Sequence, residues 1–101
     1  MTEVFIKRND TNPSLSVTLA QDGVVVDLST ATVVFHMGTH VDATAVVVDG
    51  TAGTARYDWV AADTVTAGCY PAEFEVTFAD DSIQTFPNDE NLTIIITEDV
   101  S

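Results

Sequence analysis

The chain has 101 residues, 46% of them hydrophobic and 8% aromatic, enough for one domain to build a core without a disulfide or metal to staple it. Sixteen acids against three bases give a formal net charge of -13; such a surface repels phosphate and anionic lipid, which excludes nucleic acid and membrane as partners. No apolar run approaches the ~20 residues of a bilayer span, and MTEVFIKRND carries charges where a secretion signal needs an apolar stretch, so the expectation is a soluble chain made in the cytoplasm.

Alternation of apolar and polar residues recurs in short pieces between turn residues. Val4 to Arg8 begins a first strand, closed by Asn9-Asp10-Thr11-Asn12-Pro13. Leu15, Val17 and Leu19 point one way from the next, and Gln21-Asp22-Gly23 reads as a hairpin turn because Asp and Gly tolerate positive φ. A short strand Val24 to Leu28 follows, then one whose inward set is Ala31, Val33, Phe35 and Met37. Val46 and Val48 lie on a further strand that ends at Asp49-Gly50, and Gly53 starts one in which Ala55, Tyr57 and Trp59 alternate with Thr54, Arg56 and Asp58. Between Val60 and Ala67 neither strand nor turn is evident, and Asp63 is placed to cap a single helical turn. The cleanest strand is Gly68 to Phe78, with Tyr70, Ala72, Phe74, Val76 and Phe78 inward and Glu73, Glu75 and Thr77 outward. Asp80-Asp81 turns the chain into Ser82 to Phe86, Pro87-Asn88 interrupts, and Leu92 to Thr97 ends the pattern.

Seven to nine strands at a spacing of roughly 8–12 residues predict one all-β domain over 1–101, an immunoglobulin-like antiparallel β-sandwich. Phe35, Tyr57, Trp59, Tyr70, Phe74, Val76, Leu92 and Ile94 are its expected core.

The charge is unevenly spread. Residues 1–56 hold six acids and all three bases (Lys7, Arg8, Arg56), whereas residues 57–101 hold ten acids and no base. Self-repulsion of this kind destabilises a fold in dilute buffer and is relieved by concentrated salt. Two origins fit: a protein adapted to a halophilic setting, or a mesophilic one kept soluble by its charge.

Catalytic signatures are missing: there is no G-x-S-x-G, no phosphate-binding Gly-rich loop, no H-E-x-x-H and no C-x-x-C. His36 and His40 are four apart, which suits a helix face for metal, but along a strand at ~3.3 Å per residue they stand ~13 Å apart. Cys69 is the sole cysteine, so it has no disulfide partner within the chain, and without a local base it reads as a small semi-buried residue rather than a nucleophile. Asp80, Asp81, Asp89 and Glu90 sit on turns at one end, yet no calcium-loop pattern joins them, and solvated turns explain them better than a calcium site. Tyr57 and Trp59 fit core packing better than stacking on sugar. No cofactor, metal or catalytic site is expected. Lys7, Arg8, Glu73 and Glu75 are the expected partner-facing residues, the first two because residues 2–8 concentrate positive charge and belong near a sheet edge and a partner's acids, the last two because they share one strand face.

IKRNDTNPSLSVTL and DGVVVDLSTATVVFHM, followed by GTARYDWVAADTVTAGCYPAEFEVTFADDSIQTFPNDENLTIIIT, resemble the N-terminal immunoglobulin-like domain of the upper baseplate proteins of tailed bacteriophages, which is also found as short stand-alone virion proteins. The likeness spans nearly the whole chain and is most specific at Arg8-Asn9-Asp10-Thr11 with Pro13, Val26-Asp27-Leu28, Gly53 with Tyr57 and Trp59, Gly68-Cys69-Tyr70, and Thr85-Phe86-Pro87. It departs at Asp81, where the family's hairpin usually has Gly, and at Ser29-Thr30, where Thr-Gly is usual. The resemblance implies a non-enzymatic structural protein of a tailed virus particle, an adaptor in the tail, baseplate or neck that contacts other virion proteins, assembled in the host cytoplasm as a symmetric homo-oligomer or ring. A head decoration or spike-attachment protein is an alternative. A cellular carbohydrate-binding or adhesion module is another.

Overall fold

The computed structural model describes residues 2–39, 41–87 and 92–98. Among these residues, stretches mostly rich in β-branched side chains form eleven strands, in chain order β1 (Thr2–Lys7), β2 (Leu15–Thr18), β3 (Ala20–Gln21), β4 (Val24–Val25), β5 (Thr32–Met37), β6 (Val41–Thr44), β7 (Val46–Asp49), β8 (Thr54–Tyr57), β9 (Gly68–Thr77), β10 (Ile83–Phe86) and β11 (Leu92–Thr97). A 3₁₀ turn, Ala61–Thr64, lies between β8 and β9.

Six strands make the large sheet, in the order β1-β11-β9-β5-β6 with β10 also on β9. The ten-residue β9 organises it: β11 pairs with its first half and β10 with its second, while β5 runs along residues 72–77. All these pairs are antiparallel; β1 joins β11 in parallel, Phe5 opposite Ile95. Strands β2, β8 and β7 form the second sheet, and β3 with β4 a short ribbon.

The two sheets close over one core. Val33, Phe35, Met37, Phe74, Val76, Ile94 and Ile96 of the large sheet and Ala55 of the small one are almost fully buried. Phe35 is central to the aromatic packing, stacked on Tyr57 at 4.6 Å between centroids, edge-on to Trp59 at 5.7 Å and tilted against Phe74 at 5.0 Å. Such geometries let the positive edge of one ring meet the negative face of another.

Most of the expected core is in place. Tyr70 is the exception, half-buried at the end of the sheet with its hydroxyl donating to the Thr66 carbonyl at 2.8 Å. Several boundaries also shift. β1 ends at Lys7, and Arg8 opens a turn in which Asn9 has φ 71°. Only Val24–Val25 of the segment 24–28 pairs as strand, because Leu28 leaves the ribbon to fill the core. Strand β6 is not evident in the sequence: with Asp42 between Val41 and Ala43, and only Val41 buried on it, its apolar signal is too short to stand out. Val46 and Val48 are on a strand but exposed, and Val47 packs on the core instead.

Two turns show why their residues are needed. Asp22 and Gly23 both adopt positive φ (53° and 81°), as a tight hairpin requires. Gly53 has φ 70°, and a Cβ there would lie 2.7 Å from the Val26 carbonyl oxygen and 3.0 Å from that of Leu19. Asp81 also takes a positive φ, 68°. Asp is among the few residues with side chains that tolerate this, so the departure from glycine keeps the backbone shape.

Candidate interaction surfaces

Alternation on paired strands fixes what the outer face of the large sheet presents. Register places Asp42, His36 and Glu73 in one row across β6, β5 and β9, and Thr44, Val34, Glu75 and Thr85 in the next. The His36 imidazole lies between two carboxylates, with Nδ1 3.3 Å from Asp42 and Nε2 3.8 Å from Glu75. Glu73 is exposed and Glu75 half-buried. Toward β1 the face turns apolar: Phe5, Ile95 and Cys69 share a row, Phe5 being 57% exposed. Cys69 is exposed, not semi-buried, because the residues opposite it also point away from the core.

The expected partner-facing residues thus fall into two places. Glu73 and Glu75 occupy the middle of the outer face. Lys7 ends the edge strand β1 and is exposed. Arg8 follows in the turn, half-buried, its Nε shut off from solvent without a hydrogen-bond partner among the described residues. Sequence reasoning misses the contact of His36 with Asp42, which depends on β6. His40, paired with it in the sequence argument, lies outside the described residues, as do Asp89 and Glu90 of the acidic turns.

Many other acids have local structural work. Asp27 and Asp80 each accept hydrogen bonds from the backbone N–H and hydroxyl of a serine two residues on, Ser29 and Ser82. The serine hydroxyl, then its N–H, holds each carboxyl below the usual carboxylate range. Asp58 is held low by the Ser14 hydroxyl at 2.6 Å and by Arg56 at 2.7 Å.

Asp63 differs: it is buried within the 3₁₀ turn and accepts from the Tyr57 hydroxyl at 2.6 Å and from the Val60 N–H at 3.0 Å. It therefore reaches back to cap the turn from inside rather than preceding it. Burial, reinforced by Asp63, pushes the Tyr57 phenol above its ordinary value.

No three His, Cys, Asp or Glu among the described residues are grouped to hold a metal. Tyr57 and Trp59 are buried, so neither offers a ring to a sugar. A depression of about 360 Å³ between β2 and the β10–β11 side is lined by Val17, Leu19, Phe74, Phe86, Pro87 and Leu92 among others, none of its described lining residues ionisable. What the arrangement presents is surface, on sheet faces and strand edges.

With two packed sheets closed over a common core, the described residues form an all-β sandwich. Residues 3–100 match the BppU N-terminal domain, so the chain belongs to the family of N-terminal domains of the phage baseplate upper protein. This is a family of baseplate structural domains, which makes the chain a component of the virion that contacts other virion proteins. Among curated proteins none matches the chain.

Proposed function

We propose that the domain is a non-enzymatic adaptor in the tail, baseplate or neck of a tailed virus, joining larger components as part of a symmetric assembly formed in the host cytoplasm. The family match across residues 3–100 carries this reading. The fold is consistent with it: the interior is filled by packed side chains, and the chemistry available to a partner is the row of acids around Glu73 and Glu75 and the β1 end with Lys7 and Arg8. A partner meeting the acidic rows carries Lys or Arg, since complementary charge directs encounter and register.

Cryo-electron microscopy of the intact particle tests the proposal. Density for this sandwich in the tail, baseplate or neck is expected, with a neighbour's basic residues against Glu73 and Glu75. Density on the capsid surface would replace the adaptor by a head decoration protein. Absence from the particle, together with glycan binding by the purified monomer, would favour an adhesion module.

A further inference from the structure

The outer edge of β1 has a pattern that its neighbours lack. Exposed edges are usually kept short or bulged to prevent pairing with another chain. The opposite edge of the large sheet, β6, has four residues; β2 and β7 of the small sheet also have four each, and β7 is irregular between Val47 and Asp49. β1 has six residues paired in unbroken register with β11. The Arg8 N–H donates to the Thr97 carbonyl at 2.8 Å, on the β11 side. Backbone groups alternate sides along a strand, so the N–H and C=O of Glu3, Phe5 and Lys7 point to the open edge. The side chains of the same three residues are exposed on the outer face.

We infer that β1 pairs antiparallel with β1 of a second copy of this chain, on a two-fold axis at Phe5. In that register Phe5 meets Phe5, and Glu3 of each copy meets Lys7 of the other. All three are hydrogen-bonded pairs, with Cα atoms about 5.5 Å apart. Phe5 exchanges both its bonds, and each Lys7 N–H reaches the other copy's Glu3 carbonyl; the Lys7 carbonyl already accepts from Asp10 N–H at 3.1 Å and is shared. The same register stacks two exposed rings and sets opposite charges across from each other twice. Cross-strand pairs of both kinds stabilise a sheet. β6 offers no equivalent, because its self-pairing would set Asp42 against Asp42 or Thr44, and none of its four residues is a base.

The net charge of -13 opposes self-association, but its range decides the outcome. At 0.15 M salt the screening length is about 8 Å, so distant acids are muted while side chains on paired strands still interact. The pair deepens the symmetric-assembly part of the proposed function by naming its contact, two-fold and isologous; a ring needs a second surface as well.

Sedimentation velocity of the purified chain at 0.15 M salt, across a concentration series, tests it. The wild type is expected to form a dimer. Glu3→Lys sets Lys against Lys7, and Lys7→Glu sets Glu against Glu3, so each weakens the dimer about tenfold or more. The double variant E3K/K7E restores it, and so does mixing the two single variants, whose edges complement each other. Generic repulsion predicts the opposite for Glu3→Lys, which removes two units of negative charge. A wild type monomeric to millimolar concentration overturns the inference. So does a dimer strengthened by Glu3→Lys, or a double variant no better than the singles; circular dichroism confirms that each variant is folded. A monomer in solution with density in the particle would sink this contact alone, whereas a charge-swappable dimer absent from the particle would sink the virion reading alone.

Discussion

Phe35 touches three other aromatic rings, one of them, Phe74, on the neighbouring strand β9. Phe74→Ala is expected to cost about 3–5 kcal/mol, read as a lower midpoint in urea at unchanged slope. A loss under 1 kcal/mol would mean the ring is not part of the core. Asp63 and Tyr57 form the other residue-scale feature, a buried hydrogen bond of 2.6 Å. The phenol's folded-state pKa is raised, so its contribution is intact below the unfolded value near 10 and is lost as pH rises beyond it. Stability should fall with increasing pH above about 10, and Tyr57→Phe should flatten that fall. At neutral pH the same substitution takes one donor from a buried carboxylate and is expected to cost about 1–3 kcal/mol. An alkaline limb equally steep in both proteins would show that another group governs it.

At the scale of elements, one tight constraint is the approach of the residue before β8 to the loop after β4. Gly53 meets Leu19 and Val26 there, and the Leu19 N–H donates to its carbonyl at 2.8 Å. Gly53→Ala combines a strained φ with a clash against backbone oxygen, and about 1–3 kcal/mol of destabilisation is expected in thermal melts. What can be read from the chain follows the same physics. β9 alternates over ten residues, so the inward register of Phe74 and Val76 is plain from the order of residues alone. β6 has a single buried valine and leaves no such signal. The His36–Asp42 contact is hidden with it, since Asp42 faces His36 only once β6 is laid against β5. The parallel pairing of β1 with β11 joins residues some ninety positions apart, a contact that local periodicity does not encode. Asp63 is recognisable as a cap from its residue type, but its bond to Tyr57 depends on how the turn folds back over β8.

For the whole molecule the question is what the surplus acid does. Asp27, Asp58 and Asp80 hold turns and neighbours together, and Asp63 is internal, so these are not free to report on salt. Asp22, Glu73, Asp81 and Glu98 are exposed without such bonds among the described residues. We propose that this second group reflects a saline setting. The melting temperature should then climb steeply between 0.1 and 2 M KCl, as the screening length falls from about 10 Å to under 3 Å. The climb should shrink in a variant with these four changed to Asn or Gln. Potassium sulfate serves as the control, because excluded salts strengthen apolar burial in any protein. A flat response, or an equal rise in the neutralised variant, would assign the acidity to solubility alone.

The parallel register of β1 and β11 also has a mechanical meaning. Both strands run the same way and are paired over residues 2–7 and 92–97. A load pulling residue 2 away from residue 97 is therefore directed along the two strands and in opposite senses. The backbone hydrogen bonds between them are strained together, in shear. Pulling instead at Gly68 and Ile96, directly paired at one end of the antiparallel β9–β11 contact, would open that pair one bond at a time. Forced unfolding is governed by the barrier to the first rupture, so the domain should resist tension delivered through its terminal strands far better than tension delivered across the sheet.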